Sequence, residues 1–161
     1  MNLSNGNINI PLIECINPIK RLYKVRWNLT IDEGGNTSSF MEETFKEVPS
    51  IETLKGVIIP WYNKKIEKSI IEDFKWKDMN IWLSTENQMN YKAMYDYAVQ
   101  SEGSILPITF KFGTDESPIY YTFNDLSTLK DFYESMIKHI NSKLTEGWNL
   151  KDSIDWSKYT L

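Results

Sequence analysis

Two stretches of this chain carry one apolar pattern at a fixed spacing. Phe45, Val48, Ile51 and Leu54 recur as Tyr120, Phe123, Leu126 and Leu129, each 75 residues further on. Thr53-Leu54-Lys55 in the first stretch returns as Thr128-Leu129-Lys130 in the second. Beyond each, Lys77-Asp78-Met79-Asn80-Ile81-Trp82 is echoed by Lys151-Asp152-Ser153-Ile154-Asp155-Trp156 at an offset of 74. Amphipathic hairpin-helix units resemble one another for physical reasons alone, but the constant offset and shared order favour duplication. The period exceeds that of the common solenoid repeats, so a pseudo-symmetric pair on one sheet or two abutting sheets is expected, with helices over one face. The expected fold class is therefore α+β. It comprises two β-hairpin-plus-helix (β-β-α) units, about 22–83 and 105–157, with a linking strand and helix and an antiparallel sheet covered by helices. Both units are placed in a single domain, 21–161, preceded by an extended N-terminal arm, 1–20.

The elements follow from periodicity. Tyr23, Val25, Trp27, Leu29 and Ile31 alternate with polar residues, which predicts a strand with one buried face. Glu33-Gly34-Gly35-Asn36 turns the chain into a second strand over 37–45. Residues 50–73 read as helix capped by Ser50, with a kink near Gly56 to Pro60, or as two helices with Pro60 opening the second. A strand over 74–83 is expected next. Thr85 and Gln88 then have the spacing of a capping box for a helix to about Gln100, ended by Gly103. Ile108, Phe110 and Phe112, the turn Gly113 to Ser117, and Ile119, Tyr121 and Phe123 make the clearest hairpin. Leu129, Phe132, Tyr133, Met136, Ile137, Ile140 and Leu144 give the stripe of a long helix over 125–146, which Gly147 should stop. Residues 1–20 contain Pro11 and Pro18 and read either as an extended arm or as a strand or loop packed on its own domain.

Composition narrows the function. A net charge of −4 over 161 residues leaves no electrostatic footprint for nucleic acid or for an anionic membrane surface. No apolar run reaches the roughly 18 residues that span a bilayer. The first residues lack the basic and apolar regions of a secretory signal, so none is expected. The single cysteine, Cys15, allows no intrachain disulfide and points to a reducing cytoplasm or a particle assembled there. Cys15 reads as a small buried hydrophobe. The single histidine, His139, could serve as a general base, but it borders an apolar helical stripe and no serine or cysteine nucleophile can be paired with it. One histidine and one cysteine disfavour zinc, and Gly34-Gly35 lacks the lysine and serine of a phosphate loop. No catalytic residue, metal or cofactor is expected, and the chain reads as a non-enzyme. Carboxylates such as Glu42-Glu43, Asp115-Glu116 and the pair Asp152 and Asp155 leave one enzymatic alternative, because a glycosidase needs only two of them at the right separation.

Aromatic residues make up 14% of the chain. Most must be core, as the alternating strands show, and those in the tail and beyond the core stripes are candidates for interface anchors. Trp and Tyr concentrate at protein-binding hot spots. The candidate interface residues are Ile8, Ile10, Leu12 and Ile13 in the arm and Trp148, Trp156 and Tyr159 in the tail. The same aromatic residues could form a carbohydrate platform.

Three segments carry a resemblance: Trp82-Leu83-Ser84-Thr85-Glu86-Asn87-Gln88-Met89-Asn90-Tyr91-Lys92-Ala93, Leu106-Pro107-Ile108-Thr109-Phe110-Lys111-Phe112-Gly113 and Lys151-Asp152-Ser153-Ile154-Asp155-Trp156-Ser157-Lys158-Tyr159. Over about residues 74–161 the chain resembles small structural or assembly proteins of tailed phages infecting Bacteroides, including crAss-like phages. The resemblance implies a virion component assembled in the bacterial host cytoplasm. Such a component would attach to the capsid, a head fibre or the neck and tail, binding other virion proteins and itself as a homo-oligomer. An assembly chaperone for a fibre or tail protein is the alternative. A small carboxylate-dependent glycan hydrolase is the second.

Overall fold

The computed structural model describes residues 1–114 and 116–161; Asp115, in the expected hairpin turn, lies outside the described residues. The fold is α+β, with antiparallel strand pairs and three α-helices. The chain divides into two compact units. The first comprises residues 1–61 and 153–161, the second 62–152, and the boundary falls inside α1.

In the first unit four strands, β1 (Asn2–Asn7), β2 (Ile13–Asn17), β3 (Leu22–Ile31) and β4 (Thr37–Phe45), form a sheet in the order β1-β4-β3-β2. Residues 1–20 thus supply both edge strands of their own sheet. The β3–β4 turn is held by Asp32, whose carboxylate accepts from the Asn36 and Thr37 amides at 2.8 and 3.0 Å. Val25 and Trp27 are buried as the alternation requires, but the pattern stops there. The register slips between Trp27 and Thr30, and Asn28 adopts a φ of 53°. This bulge rotates the rest of the strand, so Ile31 is exposed instead of buried. Trp27 meets Trp61 of α1 (Ile51–Glu72) edge-on, with ring centroids 6.2 Å apart. The chain closes with a 3₁₀ turn, Trp156–Tyr159, whose buried Tyr159 donates its hydroxyl to the Arg26 carbonyl at 3.1 Å.

The opposite face of β3 carries a buried cation. The Arg26 guanidinium donates to the Pro11 carbonyl at 2.9 Å and to Glu14 at 2.8 Å, and lies 3.6 Å from Glu42. Its carbon stands 5.6 Å above the Phe40 ring. Lys24 and Ser4 also donate to Glu42, at 2.8 and 3.0 Å. The residues linking β1 to β2 close over this group: Ile10 and Phe40 both lie 3.1 Å from where a Cβ on Gly6 would stand.

Pro60 does not break α1, which runs unbroken through it. The carbonyl its missing N–H would have bonded belongs to Gly56, where a Cβ would meet nothing within 4 Å, so water can take over that bond.

The second unit holds the C-terminal part of α1, the two-residue strands β5 (Lys75–Trp76) and β6 (Met79–Asn80), α2 (Thr85–Gln100), the hairpin β7 (Ile108–Gly113) and β8 (Pro118–Phe123), and α3 (Leu126–Asp152). The expected strand over 74–83 is instead a tight hairpin, because Lys77 and Asp78 both take positive φ, 47° and 61°, as a two-residue turn demands. The cap of α2 is Ser84, one residue before the expected Thr85. Its hydroxyl accepts from the Asn87 amide at 3.2 Å, and Gln88 reaches back to the Leu83 carbonyl at 2.7 Å. Phe74, Trp76, Tyr91, Phe110, Phe112, Phe123, Leu129, Phe132 and Met136 belong to one buried cluster. Burial pushes the Tyr91 phenol up to about 12.

The two helix starts that the sequence pattern pairs are alike in geometry. α1 begins at Ile51 and α3 at Leu126, 75 residues apart. Ser50 accepts the Thr53 amide at 3.1 Å, and Asp125 accepts the equivalent Thr128 amide at 2.7 Å. Leu54 and Leu129 are both fully buried. The later echo has no such counterpart: Lys77-Asp78 turns a hairpin, whereas Lys151-Asp152 ends α3.

Candidate functional site

Glycine at position 147 was expected to stop α3, but the helix runs through it to Asp152. Gly147 is buried, and a Cβ there would lie 2.7 Å from Ile66 Cγ1. Its role is therefore to let α3 approach the C-terminal part of α1. Gly147→Ala should destabilise the second unit by about 1–3 kcal/mol through overpacking, although alanine is the better helix former by up to about 1 kcal/mol. Urea unfolding would show this. Ile66→Ala in the same chain should recover part of the loss, giving less destabilisation than the sum of the two single changes.

That close crossing makes one wall of a groove enclosing about 350 Å³. Its apolar lining is Ile66, Ile70, Ile71, Ile140 and Leu144, and its polar rim includes Glu67, Thr85 and Gln88. Lys151 closes one end by donating to Asn63 at 2.8 Å. Trp148 stands on the wall, 56% exposed. A shallower depression of about 220 Å³ shares Thr85, Gln88 and Ile140 with the groove and adds Met89 and Ile137, both exposed. Together they follow α3 from Tyr133 to Lys151, a run of about 27 Å at 1.5 Å per residue.

His139 does not face a nucleophile. Its Nε2 lies 3.1 Å from the Ile70 carbonyl, and its ring packs 5.2 Å from Phe74. Cys15 is half-buried on β2, opposite Tyr23. Among the described residues no group of three or more His, Cys, Asp or Glu side chains could hold a metal ion. No helix among them is long and apolar enough to cross a membrane. A separate depression beside Trp82 has Glu72 and Asp78 on its rim.

The candidate interface residues are scattered. Ile13 and Tyr159 are buried in the first unit, and Ile10, Leu12 and Trp156 are half-buried. Lys55 stands 5.9 Å from the Trp156 ring, which packs 5.8 Å from Tyr159. Ile8 is 38% exposed. Only Trp148 of the seven lines the groove. Sequence reasoning missed Met89, Ile66 and Ile70 as lining residues. The signal was the length of the α3 stripe: Ile137, Ile140 and Leu144 carry it along the groove and the depression beside it.

The fold and groove together describe an α+β protein with an apolar trough between helices. Compared with protein-family models, curated proteins and solved structures, the chain matches none.

Proposed function

We propose that this chain works by binding protein, as a non-enzymatic accessory component of a tailed-phage particle. The observation that carries the binding reading is the groove with its exposed Trp148, Met89 and Ile137. A long apolar trough between helices with a polar rim suits an amphipathic helix or an extended apolar segment. The phage context rests on the resemblance of residues 74–161. Particles purified from infected cells should contain the chain in a fixed ratio. Trp148→Ala should weaken its attachment by about 2 kcal/mol, roughly a thirtyfold rise in Kd. A chain absent from particles that also fails to co-purify with any particle protein would sink this proposal.

Co-purification with a fibre or tail protein, combined with absence from finished particles, would instead identify an assembly chaperone. Glu72 and Asp78 beside Trp82 are the observation favouring a carboxylate-dependent glycan hydrolase. Turnover of a surface glycan that Glu72→Gln abolishes would establish that alternative.

A further inference from the structure

We propose that the outer edge of β8 pairs with β8 of a second copy, joining two hairpins into one four-stranded sheet. Among the described residues β8 pairs with β7 on one side and with no strand on the other. Its six residues pair with β7 without a bulge, and none is charged. Ile119, Tyr120, Tyr121, Thr122 and Phe123 are all strong strand formers. Native edge strands are ordinarily blunted by charge, an interior proline, a bulge or a covering element. The β2 edge of the first unit follows that rule, with Glu14, a register shift between Cys15 and Asn17, and prolines on both flanks. β8 has a proline only at its first residue, and Pro118, Ile119, Tyr120 and Thr122 are exposed, Tyr120 by 67%.

The ladder determines which main-chain groups face outward. The hydroxyls of Thr109 and Thr122 lie 2.8 Å apart across the strands. Such close side chains mark a non-hydrogen-bonded pair, and in an antiparallel ladder the two kinds of pair alternate. Ile119, Tyr121 and Phe123 therefore bond to β7, while Pro118, Tyr120 and Thr122 turn their main-chain groups away from it. A two-fold axis at Tyr120 sets each Tyr120 opposite its counterpart and each Thr122 opposite Pro118, for about four main-chain hydrogen bonds. The N–H that proline lacks falls at the ends of this ladder. The two tyrosine rings become a cross-strand aromatic pair. The strand's neutrality suits a second copy of itself, which brings no charged side chain against Tyr120 and so no like-charge repulsion across the new ladder.

This contact uses none of the groove residues, so it stands or falls separately from the proposed particle role. Light scattering across a concentration series should show the wild-type chain passing from one to two copies per particle. Tyr120→Lys places like charges opposite each other, and Thr122→Pro removes an outward N–H. Each should raise the dissociation constant by about tenfold or more while leaving the circular dichroism unchanged. Amide exchange at Tyr120 and Thr122 should slow as the wild-type chain associates. A wild-type chain that stays single at every concentration, or a dimer that both variants retain, would overturn the proposal.

Discussion

Phe132→Ala should cost the second unit about 3–5 kcal/mol, the range for deleting a fully buried aromatic ring. Phe132 has no exposed surface, and its ring centroid lies 5.2 Å from Tyr91, 5.3 Å from Trp76, 5.4 Å from Phe112, 5.5 Å from Phe123 and 5.9 Å from Phe110. These partners come from β5, α2, β7 and β8, so one side chain on α3 ties four other elements of the unit together. Aromatic pairs add about 0.5–1.5 kcal/mol each beyond the area they bury, which places this site toward the upper end of the range. Urea unfolding, with amide exchange read in α2 and α3, measures the loss. Phe132→Leu, which keeps most of the volume, should cost clearly less. A loss below about 1 kcal/mol for the alanine variant would mean that the cluster is not packed around this ring.

Arg26→Met should cost the first unit about 3 kcal/mol, because removing one partner of a buried ionic group strands the others. The methionine keeps the apolar stem against Phe40 but gives up the bonds to Pro11 and Glu14 and the nearby charge at Glu42. Glu42 supplies a pH signature of the same network. Burial alone would raise its pKa, but the bonds from Lys24 and Ser4 and the charges of Lys24 and Arg26 outweigh burial and hold it below the ordinary glutamate value. The unfolded chain therefore takes up this proton at a higher pH than the folded chain does. The contribution is fully present above the ordinary glutamate value and is lost as the pH falls through the folded value. Acid titration of stability should show that loss in the wild-type chain, and Glu42→Gln should flatten it. An unchanged profile would mean that Glu42 is not coupled to folding.

Much of the architecture was legible in the residues. The hairpin over 108–123 and the α3 stripe announce themselves because each has one buried face, and burial on one face is what periodicity encodes. What escaped depends on partners distant in sequence. Gly147 looks the same whether it ends a helix or admits a neighbour, and only the proximity of Ile66 decides between them. Arg26 reads as the polar side of a strand, and the segment around Ile10 and Pro11 that buries it lies outside the strand's own pattern. The bulge at Asn28 had one weak sign, asparagine's tolerance of positive φ, inside an otherwise unbroken alternation. Thr85 was a sound cap by spacing, but Ser84 offered the same chemistry one residue earlier. The groove was hidden because an α-helical stripe states which residues are apolar without stating how far along the helix the core extends.

The matched starts of α1 and α3 have a consequence for acid behaviour. Ser50 holds its amide with a hydroxyl that has no proton to gain at low pH. Asp125 does the same work with a carboxylate, and the Thr128 amide and hydroxyl hold its pKa below the ordinary value. Acidification therefore reaches the cap of α3 and not the cap of α1. The first turn of α3 loosens as its cap takes up a proton, while the first turn of α1 keeps its cap intact. Two helix starts of like geometry thus carry caps of unlike titration chemistry.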